Sequence, residues 1–558
     1  MRPASTSDPA ALATAAGGDP LPSPPAREQA RRRPAPPGLV AASAAVAALF
    51  AVPFVYLAVR NVTEESAFFE VVASRATIDP LIRTLWLAST VAVAASALGT
   101  LLAWLTMRTD LPGRRAWRIL SPLPLVLPSF VAGAALLAAF APGGLVQELL
   151  DPLGAGRPPR IDGYLGAFLV LTFITYPYVY LPVAARLATL PPSLEEAARL
   201  LGHRPRWTFV RVVWPQLTPA VRAGGLLVFL YVVSDFGVVQ LMGFHTLTTR
   251  IFTTRLVDTP LSFALGLVLA VVALLVVSLE RLASRRSVVS GEPSRGRRAE
   301  VPLGRWRLPA LAAIAAAVGI GLAAPVVVLG WWAWRGLVNQ AAGFATAEGA
   351  SALVGPTWNT ITVSIGAAVV SVALVLPLAY LTSRYRSPLA GPLNAIVVAG
   401  FALPGLVVAL SMVFLALKVP ALSGLYQTLP LLLIAYVIHF GAQAYRSAQV
   451  GVAAVDERYG EAARTLGAGR WRRLRHVELP LMLPPLAAGA GLVMLSTMKE
   501  LPATLLAAPF DFETLATRIW HANEGGFLAD AGLASLLLVA VSALLTWLLV
   551  IRGATHLR

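Results

Sequence analysis

Two stretches of this sequence combine residue types and spacing suited to gripping another protein. Glu196-Ala197-Ala198-Arg199-Leu200-Leu201-Gly202 is followed, nine residues later, by Val212-Val213-Trp214-Pro215. Glu461-Ala462-Ala463-Arg464-Thr465-Leu466-Gly467 is followed at the same interval by Val477-Glu478-Leu479-Pro480, a constant offset of 265 residues. Glu-Ala-Ala-Arg favours helix. Glycine at 202 and 467 suits a left-handed helix stop, and Pro215 and Pro480 are expected to end a second short helix. Phe209 with Val212, and Leu474 with Val477, mark one face of that helix. The small alanines let another surface approach closely, and Glu196 and Glu461 offer it a carboxylate for an arginine.

A second set of charged side chains sits inside apolar runs. Asp235, in Ser234-Asp235-Phe236-Gly237, and Glu500, beside Lys499, share the 265-residue offset. Charge inside a membrane span is costly and by default functional, so Asp235, Lys499 and Glu500 are candidates for lining or gating a path. The competing expectation is a lysine that snorkels outward or an ion pair that locks two helices. Other chemistry is sparse. The chain has no cysteine, which excludes disulfides and thiol catalysis. Its six histidines lack metal-ligand spacing. No Gly-x-x-x-x-Gly-Lys-Ser/Thr phosphate loop occurs, so no cofactor site is expected in this chain. No convergent acid–base set supports a membrane enzyme.

The elements that must carry these residues are membrane helices. Of 558 residues, 57% are hydrophobic and 13% charged, with mean hydropathy +0.71; a soluble chain carries about 25% charged residues. The apolar runs are long and continuous, and in lipid only helices satisfy such backbones from within. An all-α polytopic protein of about twelve helices is therefore expected. Spans are placed near 39–59, 85–107, 119–141, 164–186, 220–243 and 261–280, then near 308–334, 358–382, 394–417, 428–447, 484–508 and 530–551. The formal charge of +17 is mostly arginine in alternate loops, which places both termini in the cytoplasm. No basic cluster sits on a soluble domain, which argues against nucleic acid.

The chain also repeats itself. Leu102-Ala103-Trp104-Leu105-Thr106-Met107-Arg108 matches Leu378-Ala379-Tyr380-Leu381-Thr382-Ser383-Arg384, and Leu127-Pro128 matches Leu403-Pro404, at one offset. An even number of spans separates the copies, which makes the repeat parallel. The expected organisation is a disordered tail over 1–38, a first half over 39–282 with its core at 84–279, a linker over 283–307, and a second half over 308–558 with its core at 357–549.

The twin Glu-Ala-Ala motifs resemble the cytoplasmic loop of type I ABC importer permeases, with Val212 and Val477 for the usual isoleucine and Trp214 for leucine. The resemblance implies that each loop docks on a cytoplasmic ATPase subunit, so two copies of that subunit bind ATP and magnesium outside this chain. It also implies an extracytoplasmic substrate-binding protein as partner and residence in the bacterial inner membrane. The fused two-copy layout, with Met498 to Leu506 and Phe512 to Trp520, resembles the ferric-iron permeases, and next the thiamine permease. A major-facilitator transporter is the alternative of another class. Asp110-Leu111-Pro112-Gly113-Arg114-Arg115 is similar to that superfamily's loop but lacks its basic residue after the aspartate, and the second half does not repeat it.

Overall fold

A computed structural model describes residues 33–63, 68–154, 158–190, 195, 197–198, 200–284, 301–338, 351–400 and 402–546. The described residues are almost wholly helical. The first half contains α1 (Pro37–Thr63), α2 (Arg75–Arg108), α3 (Ser129–Ala139), α4 (Gly163–Thr189), α5 (Phe209–Ser234), α6 (Gly237–Leu241), α7 (Leu247–Thr254) and α8 (Thr259–Ser284). The second contains α9 (Gly304–Val338), α10 (Val354–Arg384), α11 (Gly405–Lys418), α12 (Leu429–Ala454), α13 (Trp471–Met498), α14 (Pro502–Ala507), α15 (Leu515–Glu524) and α16 (Leu528–Thr546). Each of these eight helices of the first half recurs eight places later, so the parallel repeat is visible element by element.

Among the described residues, nine helices are long and apolar enough to cross a membrane, or eleven if two bent pairs each count as one. The twelfth expected span is α12. Its His439, Gln443, Tyr445 and Arg446 lower its mean hydropathy, although its counterpart α4 qualifies.

Four expected spans are not straight rods. The run at 119–141 is Arg114–Val126 joined to α3 at 93°, and the run at 394–417 is Ala390–Gly400 joined to α11 at 103°. Pro128 and Pro404 sit at these corners in extended conformation, with ψ of 143° and 140°, each preceding the first residue of a new helix. A proline cannot continue a helix but suits its first turn. The runs at 220–243 and 484–508 also break, at 235–236 and 499–501, before the short helices α6 and α14. Hydropathy measures the length of an apolar run and is blind to a corner inside it.

The halves are interlocked by exchanged leading segments. Helix α1 packs on α10 and on the bent pair of the second half, while α9 packs on α3 of the first. Phe50 of α1 is fully buried there, over Gly441 and Gly400; a Cβ on Gly441 would lie 2.5 Å from its ring. Ahead of α1, Arg33–Pro34 forms a two-residue parallel pairing with Tyr385–Arg386, and ahead of α9, Val301 pairs with Thr109. The last residues of the expected tail and linker are therefore built into the fold; residues 1–32 and 285–300 lie outside the described residues. Asp110 completes the second clasp. It accepts the Leu303 backbone N–H at 2.8 Å and pairs with Arg307 at 3.0 Å, which gives the Asp110 loop a local structural use.

Candidate functional site

The two Glu-Ala-Ala stretches form matching elbows. In the second, Asp456 caps the helix Glu457–Thr465 by accepting from the Arg458 N–H, as an aspartate before a helix does. The helix ends at Gly467, whose φ is +79°, while the Ala468 N–H donates to the Ala463 carbonyl at 2.9 Å. In the first, Gly202 has φ +78° and the His203 N–H donates to the Ala198 carbonyl at 3.1 Å. A left-handed glycine with this long-range bond is a stop that only glycine makes without strain. Ala198 and Ala463 are turned inward, whereas Ala197, Glu461 and Ala462 face out. Leu200 and Leu466 follow them, 89% and 87% exposed. Glu461 lies 3.9 Å from Arg464. Glu196 lies outside the described residues.

The expected helix ends at Pro215 and Pro480 are not there. The helix runs on through both prolines into the spans α5 and α13. A single wide turn lies just ahead of each, Phe209–Val213 and Leu474–Glu478, with five-residue hydrogen bonding. Such a turn removes the need for the N–H that proline lacks and shifts the carbonyl its ring would strike. The second arm of each elbow is thus the first stretch of the following span.

The other candidates meet at the junction of the halves, in a cavity of about 210 Å³. Asp235, Lys499 and Glu500 all line it, with Ser129, Gly405, His439, Gln443 and Ser496. Asp235 accepts from Ser129 Oγ at 2.6 Å and from the Val238 N–H at 3.0 Å. Glu500 accepts from the Ala503 N–H at 3.1 Å and lies 3.8 Å from His439 Nε2. Each acid therefore caps the short helix that follows it. Lys499 does not snorkel: its Nζ donates to the Leu125 carbonyl at 2.9 Å, across the junction. Among the described residues, no group of three or more acidic or histidine side chains is arranged to hold a metal ion.

The surroundings of the two acids are complementary. Ser129 and Gly405 hold repeat-related positions at the start of α3 and α11. The shorter Asp235 is met by a serine hydroxyl. The longer Glu500 needs the space that a side chain at 405 would take, since a Cβ there would lie 2.5 Å from its Oε1.

The family described as Binding-protein-dependent transport system inner membrane component matches the chain twice, over residues 95–289 and 372–555. The chain belongs to this family. It is a fused, two-copy ABC importer permease, and each family match contains one elbow and one of the cavity acids. The Fe(3+)-transport system permease protein FbpB 2 of Haemophilus influenzae is 28% identical over 475 residues, 84% of this chain and 89% of that one. The probable ABC transporter permease protein y4fN of Sinorhizobium fredii is 25% identical over 511 residues, 87% and 88% of the two chains. The sulfate transport system permease protein CysT of Escherichia coli is 31% identical over 227 residues, 39% of this permease and 80% of that chain.

Sequence reasoning missed several cavity residues of this permease. His439 reads as one of six scattered histidines until α12 brings it beside Glu500. Ser129 and Gly405 give a signal only once the repeat is aligned and each is paired with the acid it faces.

Proposed function

We propose that this permease carries ferric iron into the cell, with both elbows on the cytoplasmic side, each seating one copy of a separate ATPase subunit. The observation that carries the coupling is the pair of matching elbows. Each presents a small alanine and an exposed leucine beside a rigid glycine stop, and the second arm of each runs on into a span. The arginine-rich loops favour the cytoplasm for that end. ATP and magnesium then belong to the ATPase dimer, and an extracytoplasmic binding protein selects the cargo. Asp235, Lys499 and Glu500 line the translocation path. Two carboxylates at the junction suit a passing cation, and the absence of a tight ligand set among the described residues suits transit over storage.

The iron reading draws on the relative named for Fe(3+) transport, which spans both halves. An oxyanion cargo is the second reading. It draws on relatives named for sulfate and molybdenum transport, 31% identical over 227 and 235 residues. Those matches cover 39% and 41% of this permease, and Asp235 and Glu500 would oppose an anion.

The test is uptake of labelled ferric ion by cells carrying the permease, its ATPase and its binding protein. Uptake stops when Glu196→Arg and Glu461→Arg are combined. Undiminished uptake would reject the coupling role. Sulfate uptake in place of iron uptake would reject the cargo and leave the elbows standing.

A further inference from the structure

Each elbow has a second attachment, besides its continuity into α5 or α13. In the first half, Arg108 at the end of α2 holds Glu195 at 2.8 Å, with side chains 2% and 10% exposed. Glu195 directly precedes the Glu-Ala-Ala run. The repeat-related residues of the second half are Arg384 and Gly460, so the same pair cannot be rebuilt. Instead Glu478, in the wide turn near the start of α13, accepts from Arg473 Nε and from the Tyr380 hydroxyl, both at 2.7 Å. Tyr380 stands on α10, the counterpart of α2. Arg384 turns to the carbonyls of Val452 and Val455 at the end of α12.

Unlike residues thus make one connection twice, from elbow to the near end of the second span. Those ends carry the inter-half clasps. Thr109 follows Arg108 and pairs with Val301, and Tyr385 follows Arg384 and pairs with Arg33. A chain of contacts therefore leads from each elbow, through α2 or α10, to the leading helix of the opposite half.

We propose that Arg108–Glu195 and Arg473–Glu478–Tyr380 are transmission struts, positioning residues that carry the stroke of each elbow into the second span and across to the other half. The inference rests on the coupling role of the elbows. A buried, short ion pair holds its geometry where an exposed pair is slack. The struts differ in residue type between the halves, so conserved chemistry is not needed at these positions, only a stiff connection.

The experiment uses the full permease with its ATPase and binding protein in proteoliposomes. It compares wild type with Glu195→Gln, with the near-isosteric Tyr380→Phe, and with both. ATPase co-purification and basal ATP hydrolysis stay at wild-type levels, while ATP consumed per ion transported rises roughly tenfold in the double variant, in the range of measured coupling changes. An unchanged ratio in the double variant overturns the struts. So does loss of ATPase binding in Tyr380→Phe, which would make this a docking residue. A wild-type chain that binds no ATPase would instead sink the reading of the elbows, and the struts with it.

Discussion

The two halves reach the same backbone by different side chains, and the cavity shows where they were free to differ. At the junction, one half pairs Ser129 with Asp235 and the other pairs Gly405 with Glu500. The methylene added to the acid is matched by the side chain removed opposite it. At the elbows, Arg108–Glu195 is replaced by Arg473–Glu478–Tyr380. What recurs without change is the set of features the backbone needs: Gly202 and Gly467 in the left-handed region, Pro128 and Pro404 at the corners, and the wide turns before Pro215 and Pro480. The repeat preserves geometry and spends its variation on how each joint is filled.

The largest expected effect lies at the cavity. Gly405→Ser places a side chain where Glu500 Oε1 now sits, and transport falls by on the order of 100-fold, about 2.7 kcal/mol of lost transition-state stabilisation. Adding Glu500→Asp recreates the first-half pairing and recovers most of the rate, measured as uptake at equal expression. If the single and double variants transport alike, the complementarity is incidental.

The next effect is on stability. Arg108→Ala leaves Glu195 buried without its partner and lowers stability by about 3 kcal/mol, read as a drop in apparent Tm in detergent. Glu478→Ala, in the more exposed tie, costs less. Phe50→Ala should be of similar size to Arg108→Ala, about 3 kcal/mol, since it empties the space over Gly441 and Gly400. When α1 and α9 are aligned on Pro53 and Pro325, Phe50 corresponds to Leu322, which is only half-buried. Leu322→Ala is therefore the milder of the two in the same melting assay.

The smallest effect lies in the clasp at Asp110. The Leu303 backbone N–H, and then Arg307, hold its carboxyl below the ordinary value of 3.8. A carboxylate with a depressed pKa adds stability above the unfolded value and loses it as pH falls through the folded value. The difference between wild type and Asp110→Asn should thus be constant at neutral pH and vanish below pH 3.8. A difference that grows on acidification would contradict the pairing.

Much of this architecture is legible in the sequence. The elbows are legible because their spacing is set by local backbone rules: a helix former and a glycine stop at a fixed interval. Among the described residues, eleven of the twelve expected spans qualify when each bent pair counts as one, because apolar length is a sum over sequence. The misses have one physical source each. Pro215 and Pro480 read as helix ends because the proline rule assumes a four-residue ladder, and one wide turn removes that assumption. The corners at Pro128 and Pro404 could be foreseen from the prolines but not their near-right angles, which depend on what the following helix packs against. Arg108 and Glu195 are 87 residues apart, and nothing local announces their contact. Lys499 was free to point outward until the opposite half supplied the Leu125 carbonyl.

Both elbows are expected to meet an ATPase. Because the chain has no cysteine, Ala197→Cys and Ala462→Cys can each be introduced alone on an exposed position and tested by thiol cross-linking in membranes containing the ATPase. Each single variant should capture one ATPase copy, the two together should capture two, and ATP turnover should alter the yield. A product with neither variant, or labelling of both cysteines by an impermeant reagent from outside intact cells, would contradict that expectation.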